Sequence, residues 1–401
     1  MKYIVIVPDG MADEPIDELG HKTPLEAART TNMDYLAKNG QLGLLESIPK
    51  GMHPGSEIGN LSLLGYRPDK YFTGRAPLEA ANLGIDLEAD ETVFRCNLVT
   101  IYDDVMKDYS AGHISSEEAA TLIESLNQNI PEDFVRFYAG KSYRHLMVLK
   151  THAVKQYVAV HCTPPHDILG KKIDKFLPRG NSQALTLLKL MERSQKIFDQ
   201  HPTNQVRVDL GVNPATSIWL WGQGTKPQLP AFRELYGLDG AIISAVDLVN
   251  GIGRLAGLEV ISVPGATGYY DTNYKGKAEY ALKALETKDF VFIHVEAPDE
   301  AGHNGDARAK ISSIEAIDSE ILGTVLNHFD PHADLRILVL PDHPTPVKKR
   351  THTADPIPFV MYGKAVASNG QNVYNERSAK DAKLVIKNGE DLMRRFTNRN
   401  V

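Results

Sequence analysis

Apolar runs of strand length recur along the chain at YIVIV (3–7), IWLW (218–221), AIIS (241–244), LEVISV (258–263), FVFIHV (290–295) and LRILVL (335–340). Continuous runs of this kind suit a sheet covered on both faces, where neither side of a strand meets water. Between them lie helical patterns such as KAEYALKALE and ISSIEAIDSEILGTVLNHF, the second opening with a capping box from Ser312 to Glu315. Strand and helix alternate, which predicts an α/β fold with a doubly wound, mostly parallel sheet.

The stretch 86–205 reads differently. It carries the alternating runs VFRCNLVTI, HLMVL and QYVAVHC, a capped helix from Ser115, and the polar segment SLNQNIPEDF between elements. At 401 residues the chain exceeds what one core usually supports. The simplest organisation is a discontinuous domain of residues 1–85 and 206–401 interrupted by a smaller α+β cap, 86–205, with the ligand expected in the cleft between them.

Composition narrows the class. A net charge of −7 from intermixed signs argues against nucleic acid as a partner, and no apolar run approaches the length of a membrane span. Only Cys96 and Cys162 occur, with no C-x-x-C pair, so a disulfide framework and thiolate metal sites are both disfavoured and a cytoplasmic location is expected.

The strand runs end in chemistry. YIVIV is followed by Pro8, Asp9 and Gly10; FVFIHV by Glu296, Pro298, Asp299 and His303; LRILVL by Pro341, Asp342 and His343; and His352 lies in KKRTHT. In an open α/β sheet ligands bind beyond the carboxyl ends of the strands, where these side chains would converge. Asp299 and His303 are four apart and share one face if that segment is helical. Asp342 and His343 are adjacent and must point differently, as ligands of two neighbouring ions would. Three aspartates and three histidines, without sulfur, suit manganese or zinc and are too rich in nitrogen for a pure magnesium or calcium cage. Singly each has an ordinary reading, Asp9 as a turn or helix cap and D-x-x-x-H as an exposed helical pair. Their recurrence at successive strand ends favours a two-metal site.

HPGSEIGN (53–60) sets Ser56 between two glycines with no base nearby in sequence. A serine hydroxyl attacks nothing at neutral pH unless its proton is taken, and a bound metal can do this as it does for water. The plain alternative is a serine capping a helix that starts near Glu57. NGIGRLAG imitates a dinucleotide fingerprint but lies inside an expected helix, and WGQG (221–224) reads as a turn.

Long stretches of the chain, PDGMAD, PGSEIGNLSLLGY, GRAPLEAANLGI, GVNPATSIWLWGQG, VPGATGYYDTNY, HVEAPDEAGHNGD, DHPTP and THTADPIPF, resemble the archaeal-type, cofactor-independent phosphoglycerate mutases of the alkaline phosphatase superfamily. The resemblance implies interconversion of 3- and 2-phosphoglycerate in glycolysis and gluconeogenesis, through a phosphoserine on Ser56. It implies one ion on Asp9, Ser56, Asp342 and His343 and another on Asp299, His303 and His352, most simply manganese, with zinc, cobalt or magnesium as alternatives. Neither nucleotide nor bisphosphoglycerate is implied as a cofactor.

An anionic three-carbon substrate needs cationic partners. Arg75 in TGRAP, Arg207 and Lys275 in NYKGK are candidates, with His113 in SAGHIS and His166 and Asp167 in CTPPHDILGK from the cap. The alternative function keeps the two-metal serine chemistry but passes phosphate to water or another small alcohol, as in a homoserine kinase-like role. A monomer or small homo-oligomer, with neither nucleic acid nor membrane as partner, completes the expectation.

Overall fold

The computed structural model describes residues 1–130, 132–330 and 333–397. Its contacts divide the chain into two compact units, Met1–Phe72 with Gln228–Val401, and Thr73–Pro227. The bounds 86 and 205 expected from sequence fall inside the second unit.

In the first unit, an eight-stranded sheet runs in the order Val385–Ile386, Gln41–Leu45, Ile357–Gly363, Leu335–Val339, Lys2–Pro8, Phe290–Val295, Gly240–Ile243 and Glu259–Ile261. Ile357–Gly363 pairs antiparallel with both neighbours, and the other pairings are parallel. This is the mostly parallel α/β sheet expected. Ile4, Ile6, Val291, Ile293, Ile337 and Val339 are fully buried with helix residues such as Leu36, Ala278 and Ile314, which is why continuous apolar runs were required. Leu335–Val339, Lys2–Pro8 and Phe290–Val295 are side-by-side neighbours, so three chemistry-bearing termini open at the same edge of the sheet.

In the second unit, Glu91–Tyr102 pairs antiparallel with Val105–Asp108, Arg144–Lys150 and Ser217–Gly224, and Val135–Tyr138 adds to Arg144–Lys150. The helix Ser116–Asn129 carries the expected Ser115–Glu118 capping box.

Several local expectations are corrected. IWLW belongs to this second sheet, because Ser217–Gly224 pairs with Glu91–Tyr102 and not with the parallel strands. WGQG is the end of that strand and not a turn, with a register shift opposite Val93 and Arg95. QYVAVHC is not a strand: Val154–Val158 is a short helix. SLNQN continues the helix Ser116–Asn129 instead of linking elements. LEVISV supplies only the short, partly exposed edge strand Glu259–Ile261. The helix expected from Ser312 starts earlier, at Ala307, because the Asp306 carboxylate accepts the Ala309 N–H (2.9 Å) and caps it. NGIGRLAG does lie in a helix, Asp247–Leu255. Among the described residues no helix is long and apolar enough to cross a membrane.

Candidate metal and phosphotransfer site

Asp9 follows the first strand directly, and Asp342 and His343 follow Leu335–Val339 after Leu340 and Pro341. All three side chains are fully buried. Asp299 and His303 lie on the helix Ala297–Asn304, which begins one residue after Phe290–Val295, and their four-residue spacing brings His303 Nε2 to 3.3 Å from Asp299 Oδ2. His352 arrives from the loop beyond Asp342, with Nε2 3.5 Å from Asp299 Oδ1 and 2.9 Å from His303 Nε2.

Ser56 is the first residue of the helix Ser56–Leu63, with Gly55 as its flanking cap position. It is not the helix cap that an isolated G-S pair would provide. Its Oγ lies 3.3 Å from His343 Nε2 and 3.5 Å from Asp9 Oδ2. This close approach depends on Gly59: a Cβ there would sit 2.8 Å from both the Cβ and the carbonyl oxygen of Asp342. A bare backbone lets the serine-bearing helix rest directly on the turn that carries Asp342.

Neighbouring groups aim these side chains. The Thr345 hydroxyl donates a short hydrogen bond to Asp299 and lies 3.3 Å from His343 Nδ1. His343 Nδ1–H is therefore the donor to Thr345, and the lone pair of Nε2 faces Asp9, Asp342 and Ser56. His303 Nδ1 donates to the Arg350 carbonyl (3.1 Å), which fixes the ring with Nε2 toward Asp299 and His352. Asn60 Nδ2 donates to Asp342 Oδ2 (2.9 Å) and to the Ser56 carbonyl (3.0 Å). His294, a buried histidine of the central strand, holds Asp9 Oδ2 at 2.9 Å, and Lys277 Nζ donates to the His294 carbonyl (2.8 Å).

The electrostatics are those of a pocket built for cations. Burial, with Asp342, Asp299 and Glu296 close by, pushes the Asp9 carboxyl well above its usual range. Burial and the neighbouring Asp299 and Glu300 do the same to Glu296. Burial opposes ionisation of Asp299 too, but hydrogen bonds from His303 and His352 hold it well below the ordinary value. The Asp299 hydrogen bond raises His303 to about 9. Asp9 Oδ1 and Glu296 Oε2 are buried without a hydrogen-bond partner. Orphaned carboxylate oxygens beside imidazole lone pairs are costly in an apolar interior unless a cation compensates them. Asp9, Asp342 and His343 form one group with donor atoms close enough to hold a metal ion, and Asp299, His343 and His352 form another. The donors fit a divalent ion.

The six aspartates and histidines expected at strand ends are thus together with Ser56. The cationic candidates divide. Arg75 opens the helix Arg75–Asn82, and His166 packs edge-on against Trp221 in the same unit. Asp167 stands beside His166 at 3.7 Å. His113 holds a left-handed backbone (φ 49°), and its N–H donates to Ser110 Oγ. Arg207 is a correction. Its guanidinium is buried and bonded to Glu118 (2.8 Å) and to the carbonyls of Ala111 and Asn213, so it braces the fold. Lys275 is exposed, with Nζ 3.7 Å from Glu279 Oε1, and a second lysine, Lys277, lies buried behind the site two residues on. Sequence reasoning missed His294, Asn60 and Thr345, whose only signals were a polar residue inside an apolar run, one directly after a motif glycine and one between two prolines.

Comparisons with known proteins point to one family. The profile of the family described as 2,3-bisphosphoglycerate-independent phosphoglycerate mutase matches residues 37–204. A curated protein of that name from Methanosarcina acetivorans is 51% identical over 395 residues, 98% of either chain. The chain belongs to this family. A relative from Geobacter sulfurreducens, named as a probable mutase of the same kind, is 48% identical over 404 residues and the full length of both chains. Among solved structures, the PH0037 protein from Pyrococcus horikoshii superposes with a TM-score of 0.84 at 30% identity, covering 100% of this chain and 98% of its own. The cofactor-independent phosphoglycerate mutase from Thermoplasma acidophilum superposes at 0.65 and 26% identity, over 99% of both. Family membership therefore extends across both units.

Proposed function

We propose that the chain interconverts 3-phosphoglycerate and 2-phosphoglycerate through a phosphoserine on Ser56. The observation that carries this reading is the position of Ser56 Oγ, 3.3 Å from His343 Nε2 and 3.5 Å from Asp9 Oδ2, in a chain about half identical to named mutases. Asp9, Ser56, Asp342 and His343 would hold one divalent ion and Asp299, His303 and His352 a second. The oxygen and imidazole donors favour manganese, with zinc, cobalt or magnesium as alternatives. When bound, such ions supply Lewis acidity that lowers the serine pKa and offsets phosphate charge.

The rest is done by the chain's own groups. Ser56 sits at a helix N-terminus, where free N–H groups favour the incoming phosphoryl oxygens. Its Oγ–P bond forms as the substrate C–O–P bond breaks, and its hydroxyl proton passes in net to the departing glycerate oxygen. The second half-reaction reverses this at the neighbouring hydroxyl, so the isomerisation consumes no proton and needs no external phosphate donor. Asn60 and His294 keep Asp342 and Asp9 aimed throughout. Arg75 and His166 are assigned to recognition of the substrate's anionic groups, with Asp167 and His113 as further substrate-binding candidates. Two unpaired cysteines, with burial raising both thiols, accord with a cytoplasmic enzyme.

The test is an enolase-coupled assay with manganese and without bisphosphoglycerate. Isomerisation in both directions is expected. Turnover only with an added phosphate donor and a different alcohol would replace this reading with a kinase-like one.

A further inference from the structure

Gly240–Ile243, Phe290–Val295 and Lys2–Pro8 are successive parallel strands, with Ile293 opposite Ile243 and Val7 opposite His294. Continuing that register places Ser244 level with His294, and Asp9 lies two residues beyond Val7, on the same face of the sheet. A hydrogen-bonded row results. Ser244 Oγ stands 3.2 Å from His294 Nδ1, and His294 Nε2 stands 2.9 Å from Asp9 Oδ2. Asp9 and His294 are fully buried, and Ser244 is only 8% exposed.

The direction of each bond follows from the donors and acceptors present. Ser244 Oγ accepts the Val246 N–H (3.0 Å), and among the described residues His294 Nδ1 is the one acceptor within reach of its own hydroxyl. Nδ1 is then bare, so the ring proton sits on Nε2 and is donated to the carboxylate. That leaves Asp9 Oδ1, which has no hydrogen-bond partner, as the oxygen free to meet a cation. Asp9, His294 and Glu296 are also spaced to hold an ion of their own. With Nε2 occupied by a proton, His294 is no ligand there and serves Asp9 as a donor instead. Ser244 is fixed in turn by Asn250 Nδ2 on the helix Asp247–Leu255, which donates to the Ser244 carbonyl at 3.2 Å. Asn250 opens NGIGRLAG, so the segment set aside as a dinucleotide site has a part in holding this row.

We propose that Ser244 is a positioning residue for the ion on Asp9: its hydroxyl holds His294 in the Nε2–H tautomer, which turns Asp9 Oδ1 to the metal. The proposal rests on the metal-site reading made above. Ser244 acts through His294 and not on the reacting atoms. Without its hydroxyl the ring can carry its proton on Nδ1, and the Nε2 lone pair then faces the Asp9 carboxylate and repels it.

Electron paramagnetic resonance of free manganese, titrated into the full chain, counts the bound ions and gives their affinities. Ser244→Ala should weaken one manganese by about 10- to 100-fold and leave the other within about threefold, while Ser244→Thr, which keeps the hydroxyl, should bind like the parent. Proton–nitrogen spectra of the zinc-loaded protein carrying isotope-labelled histidine, with the His294 ring assigned by its loss in His294→Gln, should show Nε2 protonated and Nδ1 bare. A loss below about threefold at both ions in Ser244→Ala, an equal loss at both, or a Ser244→Thr protein as weak as Ser244→Ala overturns the proposal. So does a bare Nε2 on His294, and that spectrum decides alone if Ser244→Ala does not fold. A parent that binds no manganese, or that fails to isomerise phosphoglycerates with it, sinks the functional reading instead, so the two failures are distinguishable.

Discussion

Ser56 Oγ and His343 Nε2 stand 3.3 Å apart although 287 positions separate them in the chain. Neither residue is reactive by type at neutral pH in a serine-histidine pair lacking a carboxylate-aligned base. His343 directs its other nitrogen to Thr345, and burial lowers its pKa. The pair therefore reads as two donors to one cation, and the predictions below follow from that placement.

Ser56→Ala should lower interconversion of the phosphoglycerates by about a thousandfold or more, as expected when the nucleophile itself is removed. Mass spectrometry of the parent, quenched during turnover, should find phosphate on Ser56. A Ser56→Ala enzyme of near-parental rate would remove the phosphoserine from the mechanism.

Asn60→Ala should weaken metal affinity by about 10- to 100-fold, because a group that orients a ligand is lost while the ligand remains. The manganese concentration for half-maximal activity should rise, and saturating metal should restore most of kcat. Chelation should inactivate both proteins, the variant at lower chelator concentration.

Lys310→Met should destabilise the fold by about 3–5 kcal/mol, the cost of leaving one partner of a buried ion pair alone. Lys310 Nζ, fully buried, donates to Asp13 Oδ2 (2.7 Å) and to the Thr345 carbonyl (2.8 Å), tying the loop after the first strand to the loop after Asp342. Denaturant unfolding measures the loss, and a change below about 1 kcal/mol would contradict the assignment of this pair as a buried brace.

His145 fixes a stability slope in acid. Burial lowers its pKa to about 3, and its Nδ1 accepts the Gly140 N–H at 3.0 Å. The unfolded chain takes up a proton near pH 6.5 that the native state refuses, so this contribution is complete above pH 6.5. It is lost as pH falls, at up to about 1.4 kcal/mol per unit. Replacing His145 with Gln should flatten that slope between pH 6 and 4 relative to the parent, as read by urea unfolding at each pH.

The parallel sheet was legible because its strands are hidden on both faces and leave continuous apolar runs, as in YIVIV and FVFIHV. The same property misplaced IWLW. A strand covered on both faces looks alike in either sheet, and only its pairing with Glu91–Tyr102 distinguishes them. QYVAVHC failed because a short apolar run carries no length signal to separate helix from strand. At the site, Asp9, Asp299, His303, Asp342 and His343 were legible from their positions just past strand ends, and His352 from the KKRTHT segment a short way on. Asn60, His294 and Lys310 were not, since each acts through a partner hundreds of residues away, and no local pattern encodes that. Arg207 misled for the complementary reason: charge type says nothing about whether a guanidinium is already spoken for.

The missing side chain at Gly59 has a further result. With backbone resting on backbone, the spacing between the nucleophile and the Asp342 turn is set by hard contact and not by rotamers that could reset when an ion leaves. The aim of the serine is thereby stored in the scaffold, and ions can be exchanged at this centre without the chain having to find its geometry again.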